Sequence, residues 1–152
     1  RSRFNYHFND RVPVVMAEIH TEIPERCDLH TMLQEPVVKA VMFLTAQEVR
    51  EGPLSFMPHA RSTQWFIHGQ DIIPAEGGKL PAMRFMAEAN GWTPDELMAF
   101  GDSENDNEML RYASTGVAMG NALEETKAAS DYVTDDCDDE GVAHALAHFA
   151  LI

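Results

Sequence analysis

Apolar positions along this chain follow two rhythms, and the change comes near residue 75. In the first half they form short runs. Val12 to Ile19 is apolar with Pro13 near its start, and Val37 to Leu44 is a second run rich in β-branched and large side chains. Trp65 to His68 and Asp71 to Ile73 make a third pair. Such runs suit strands, and Gly69-Gln70 between the last two suits a hairpin turn. Thr45 to Glu51 reads instead as a short helix stopped by Gly52-Pro53. The expectation for residues 1–75 is a small antiparallel sheet with one or two helices on one face.

From Lys79 onward the pattern alternates. Leu80, Met83, Met86 and Ala87 recur at helical spacing, and Gly91 stands where a helix-ending glycine belongs. Thr93-Pro94-Asp95-Glu96 has the form of a capping box, with Pro at the first helical position. Leu97-Met98-Ala99-Phe100 follows at once, so at most one turn precedes a short buried strand. A loop from Gly101, a helix carrying Met109, Leu110 and Ala113, and a strand at Gly116 to Met119 come next. A helix over roughly Ala122 to Ala129, a strand at Tyr132-Val133-Thr134, and a helix with a Val142-Leu146-Phe149 stripe complete the series. Strands alternating with helices imply an α/β fold with a parallel sheet and helices on its faces.

Composition narrows the function. Hydrophobic residues make up 45% and charged residues 24% of the 152, which excludes collagen-like and wholly disordered chains. Lys and Arg number 11 against 25 acids, for a net charge of −14. A surface that negative repels nucleic acid and anionic lipid, and suits a protein that holds a divalent cation with carboxylates. No apolar stretch approaches the ~20 residues needed to span a bilayer. The opening Arg1-Ser2-Arg3-Phe4 has neither an initiator Met nor a signal-peptide hydrophobic stretch, and Cys27 and Cys137 form no CxxC pair. A reducing, cytoplasmic setting is therefore expected.

The chemistry concentrates where the first strand of the second half ends. Gly101-Asp102-Ser103-Glu104-Asn105-Asp106 places carboxylates and an amide in the loop beyond that strand, where open α/β sheets bind ligands. Carboxylates there need a cation or hydrogen-bond donors to offset their burial, and Mg²⁺ is the natural complement. The same residues also suit a strand end and a helix cap, and spacing alone leaves both readings open. An EF-hand starting at Asp102 fails, because Asn107 stands where Gly is needed and Ala113 where Glu is needed. A P-loop at Gly77-Gly78-Lys79 fails too, with Ile73 and Leu80 at its required Gly and Ser/Thr places. Lys79 opens a helix against the macrodipole, so helix stability does not explain it. It is either part of an anion site or an exposed loop lysine.

Four segments in order settle on one resemblance: Lys79 to Asn90, GDSENDNEML, GVAMGNA and DYVTDDCDDEGVAHAL. Together they resemble the carboxyl-terminal portion of haloacid dehalogenase-superfamily phosphatases, Cof-type subclass IIB. The resemblance implies residues 1–75 as the second half of an α/β cap with an antiparallel sheet. It implies residues 76–152 as the C-terminal half of a Rossmann-like core. Asp102 then resembles the family's direct Mg²⁺ ligand, with Ser103 beside it in the metal surroundings. Asn105 resembles the amide that contacts substrate phosphate, Asp106 an outer carboxylate that holds metal-bound waters, and Lys79 the lysine that neutralises the transferring phosphoryl group. Phosphoryl transfer needs positioning and charge stabilisation above all, which a cation and a lysine provide.

The family's nucleophile, the first Asp of a DxDGT-like motif, has no counterpart in this sequence. The single D-x-D, Asp136-Cys137-Asp138, is followed by Asp139 and comes after the other motifs, so Asp135 to Glu140 reads as a solvated acidic loop. The resemblance thus implies a Mg²⁺-dependent phosphatase of small phosphorylated metabolites, sugar phosphates or similar, acting through an aspartyl-phosphate, with this chain as a piece lacking the nucleophile. The alternatives are a non-catalytic half-protein completing a site in trans and a phosphomutase relative. Self-association or pairing with a missing N-terminal segment is expected. His144 and His148 have zinc-pair spacing but lack the Glu of HExxH, and are expected on solvated helix surface. Trp65, Phe66, Met83, Met86, Met98, Met109 and Met119 are expected as core filling. His59, Arg61 and His68 are expected as ordinary loop polarity or a surface that reads substrate.

Overall fold

In the computed structural model, residues 3–4, 10–23, 25–26, 28–32, 34 and 36–152 are described. Arg1, Ser2 and Cys27, which entered the sequence reading, lie outside them. The chain forms two compact units, Arg1–Ala75 and Glu76–Ile152.

The first unit is less β-rich than its apolar runs suggest. The Val12 to Ile19 run is a helix, α1 (Arg11–Glu18), and not a strand. Pro13 sits in its first turn, where a missing N–H costs nothing. Val12, Val15 and Met16 are the buried side chains, and their i, i+3, i+4 spacing is helical. Strand β1 (Arg3–Phe4) pairs in parallel with β2 (Glu25–Arg26), and a single turn, α2 (Leu29–Met32), follows. An antiparallel sheet of order β3-β5-β4 dominates the unit, built from β3 (Ala40–Met42), β4 (Ala60–Phe66) and β5 (Gly69–Pro74). The hairpin turns at Ile67-His68, two residues earlier than the Gly69-Gln70 dipeptide suggests, because Gly69 already pairs with Phe66.

Helix α3 (Ala46–Glu51) starts at Thr45 in a capping box with Glu48 and ends at Gly52. Glu48 also ties α3 to α1. Arg11 donates to both carboxylate oxygens, at 2.7 and 3.1 Å, and the Thr45 N–H donates at 2.7 Å. These bonds, the Arg11 pair first, pull the Glu48 carboxyl down to about 2. A carboxyl whose folded value lies below its unfolded ~4.3 stabilises the fold above that pH, and the contribution fades as pH falls toward 2. A carbon-detected NMR titration should therefore place the Glu48 midpoint near 2, and Arg11→Ala should move it up toward the ordinary glutamate range.

The second unit follows the expected alternation. Helix α4 (Lys79–Asn90) ends at Gly91, whose φ of 72° is the left-handed conformation that glycine adopts without strain. After the Pro94–Glu96 turn come β6 (Met98–Gly101), the Glu104–Asp106 turn and α5 (Asn107–Tyr112). Then follow β7 (Thr115–Ala118), α6 (Glu124–Lys127), β8 (Tyr132–Val133) and α7 (Gly141–His148). The three strands form a parallel sheet of order β6-β7-β8. Ala99, Leu110 and Ala113 make a buried cluster, with Met83, Leu97 and Met109 packed against it.

Three core expectations need correction. Met86 is exposed, because the buried face of α4 narrows to Met83 and Ala87. Trp65 and Phe66 are half-buried. On α7 the buried face is Gly141 and Ala145, while Val142 is exposed. The small residues let α7 approach closely: a Cβ on Gly141 would fall 2.1 Å from the Asp135 carbonyl oxygen. His148 is not simply solvated, since its ring stacks on Tyr132 with centroids 4.3 Å apart. Among the described residues no helix is long and apolar enough to cross a membrane.

Candidate active site

The site grows from the end of β6. Gly101 closes the strand, and its missing side chain is a requirement: a Cβ there would lie 2.4 Å from the Asp106 Cβ. The chain can therefore fold back over the strand end, and Asp106 comes to rest under the loop with its side chain 2% exposed. A carboxylate so buried must be fully bonded. Oδ2 accepts the backbone N–H groups of Asp102 and Ser103 at 3.1 and 3.2 Å, and Oδ1 accepts from Lys79 Nζ at 2.5 Å.

That ion pair explains why Lys79 opens a helix despite the dipole. Its ammonium is fixed by a carboxylate 27 positions away in sequence, while its side chain stays 48% exposed. The arrangement presents a positive charge at a fixed point beside the strand end. Asp102 stands at the same end with an exposed side chain. Its carbonyl accepts from Leu123 N at 3.1 Å, and the Gly101 carbonyl accepts from Met119 N at 2.9 Å. The β7-to-α6 connection thus clamps the loop from its other side.

Lys79, Asp102, Ser103 and Asp106 are therefore joined in one hydrogen-bonded unit. Asn105 is half-buried beside them, and its Oδ1 is out of solvent without a hydrogen-bond partner. Asn107 Oδ1 and Thr126 Oγ1 share that condition. Sequence reasoning passed over both, since an Asn on a helix and a Thr in an Ala-rich segment carry no motif of their own. Among the described residues no three His, Cys, Asp or Glu side chains converge as a metal cage would require. One exposed carboxylate fits instead a hard cation that keeps most of its waters and takes its remaining ligands from substrate. Asp106 fits only an outer place in such a site, because three donors already occupy its oxygens.

The other acidic candidates are elsewhere. Cys137–Asp139 is an exposed 3-10 turn, and Cys137 is a free thiol. His144 Nδ1 lies 2.8 Å from Asp135 Oδ2, so that histidine pairs with the acidic loop.

Comparison with known proteins gives a consistent set of relatives. The sequence model of the haloacid dehalogenase-like hydrolases matches residues 16–146. A phosphoglycolate phosphatase of Methanothermobacter thermautotrophicus is 32% identical over 152 aligned positions, covering 94% of this chain and 67% of the relative. Among solved structures, the phosphatase BT1666 of Bacteroides thetaiotaomicron superposes with a TM-score of 0.84 at 26% identity, over 96% of this chain and 55% of its own. The subclass IIB sugar phosphatase BT4131 gives 0.81 at 31% identity, over 92% and 54%. The chain thus spans about half the length of the solved phosphatases it matches.

Proposed function

The chain belongs to the haloacid dehalogenase-like hydrolases, and from that premise we propose that the protein it represents is a Mg²⁺-dependent phosphatase of small phosphorylated metabolites, sugar phosphates or similar. The observation that carries the reading is the exposed Lys79 ammonium fixed by buried Asp106 at the strand end that bears Asp102. A cationic point that cannot swing away is what a transferring phosphoryl group needs.

In this reading Asp102 holds the cation directly and Ser103 lines the same position. Mg²⁺ supplies neutralisation of phosphate charge when bound. Asp106 keeps Lys79 and the loop backbone in place and faces the waters around the metal. Asn105 turns its amide donors to a phosphate oxygen. The attacking carboxylate, which would form the aspartyl-phosphate, belongs to a segment outside these 152 residues. Residues 1–75 then make the second half of the cap and residues 76–152 the carboxyl-terminal half of the core, in a cytoplasmic protein.

A second reading, a half-protein that completes a site in trans, is favoured by one observation. Among the described residues β6 is bonded on one side alone, by β7, and an open edge of that kind takes another strand. Pairing with the nucleophile-bearing segment, or self-association, would satisfy it. The test of function is an assay of this chain joined to that segment, against a panel of sugar phosphates with and without Mg²⁺. Mg²⁺-stimulated phosphate release on part of the panel is expected, and none across the whole panel would overturn the reading.

A further inference from the structure

The connection between β7 and α6 holds the Asp102 loop at both of its ends. Met119 N–H donates to the Gly101 carbonyl at 2.9 Å, and Leu123 N–H donates to the Asp102 carbonyl at 3.1 Å. Between them, Gly120 N–H donates to the Asp135 carbonyl at 3.0 Å. A Cβ on Gly120 would fall 2.8 Å from Asp136 N and 2.9 Å from the Asp135 carbonyl carbon, so the connection rests directly on the backbone of the acidic loop.

That backbone has no room to retreat. Gly141, the first residue of α7, meets it as well: a Cβ there would fall 2.8 Å from the same Asp135 carbonyl carbon, and Gly141 N–H donates to the Asp136 carbonyl at 3.1 Å. Two glycines thus close on one stretch of chain, an approach that a side chain at either would block. Thr134 fixes the stack to the sheet. It is 7% exposed, its N–H donates to the Ala118 carbonyl of β7 at 2.9 Å, and its hydroxyl donates to the Gly141 carbonyl at 2.6 Å. Backbone contact therefore runs without a gap from α7 through Asp135-Asp136 and Gly120 to the two bonds on the Asp102 loop. Matter packed this closely passes a displacement on and does not absorb it. A misplacement of about 1 Å at a reacting centre costs on the order of 100-fold in rate.

We propose that Gly120 and Thr134 are positioning residues for the cation site, holding the Asp135-Asp136 backbone as a brace that sets where Asp102 stands. The inference rests on the phosphatase reading in one respect, that Asp102 holds Mg²⁺, and the two fail separately.

Amide hydrogen exchange on the chain reads the brace without turnover. In Gly120→Ala and Thr134→Val, exchange at Met119 and Leu123 should quicken by about tenfold more than at Ala87, which is buried in α4. In the protein joined to the nucleophile-bearing segment proposed above, the Mg²⁺ concentration for half-maximal activity should rise about tenfold or more, with substrate KM at saturating Mg²⁺ kept within about twofold. Thr134→Ser keeps the hydroxyl and should bring both readouts back to within about twofold of the parent. If Gly120→Ala fails to fold by circular dichroism, Thr134→Val carries the same readouts. Equal acceleration at Ala87 and Leu123, or a Mg²⁺ requirement unmoved in the folded variants, would overturn the brace and leave Gly120 and Thr134 as packing residues alone. Selective acceleration in the chain, with no Mg²⁺-stimulated turnover by the joined protein, would support the brace and count against the phosphatase reading instead.

Discussion

Asp102→Asn should slow phosphate-ester hydrolysis by at least ~100-fold in a protein that joins this chain to the nucleophile-bearing segment proposed above, the effect of losing one preorganised charge-stabilising group. Asn keeps the size of Asp102 and the backbone bonds around it, in which Asp102 N donates to Asp106 and Asp102 O accepts from Leu123. The loss would therefore report charge at the strand end and not local unfolding. Lys79→Ala should cost a similar factor, because the dianion would lose the cation that Asp106 fixes in place. The chain alone should release negligible phosphate from p-nitrophenyl phosphate or sugar phosphates with Mg²⁺, since an attack by water forfeits the covalent route that divides the reaction into two easier steps. Steady-state kinetics on the joined protein decides the matter. Undiminished kcat/KM in Asp102→Asn would remove the metal site from the proposal, and full turnover by the isolated chain would remove the need for a nucleophile elsewhere.

How much of this was legible in the residues depends on whether local chemistry or tertiary contact decides each feature. Thr45-x-x-Glu48, Gly91 and Thr93-Pro94 mark real helix ends, because caps are satisfied within a few residues. The β6-α5-β7-α6-β8 alternation was equally readable. The Val12 to Ile19 run was not, since a short apolar stretch suits a strand or a buried helix equally, and Pro13 breaks a strand ladder but not a first helical turn. The Val142-Leu146-Phe149 stripe misled for a different reason. Side-chain size favours it, yet the contact is made by Gly141 and Ala145, where close approach of backbone replaces bulk. At the site, motif spacing pointed to Lys79 and Asp106 separately. Nothing local says that one holds the other, because the contact depends on how α4 lies beside the β6 loop. The role of Gly101 was hidden likewise until the Asp106 side chain was seen over it.

That dependence makes Asp106 the position where site and stability meet, and Asp106→Ala should destabilise the second unit by about 2–4 kcal/mol. Two backbone N–H groups and an ammonium lose their common acceptor in this variant. A part-buried donor left without a partner costs about 1–3 kcal/mol, and removing one member of a buried ion pair costs about 3–5 kcal/mol. The Lys79 side chain is 48% exposed and regains water, so most of the ion-pair cost falls away and the two stranded N–H groups, at about 1–2 kcal/mol each, set the figure. Asp106→Asn separates the two duties. Its amide oxygen can still accept from Asp102 N and Ser103 N, so the loop keeps its path, but the amide group turned toward Lys79 has donors where the ammonium needs an acceptor. Asn should therefore cost less stability than Ala while freeing Lys79 to move. Chemical denaturation of both variants, read with fluorescence and circular dichroism, tests the order. A loss below about 1 kcal/mol for Asp106→Ala, under the usual cost of stranded donors, would mean that the loop finds other acceptors and that Asp106 does not hold the site together. Equal losses for Ala and Asn would locate the stabilisation in the ion pair itself and not in the two backbone bonds.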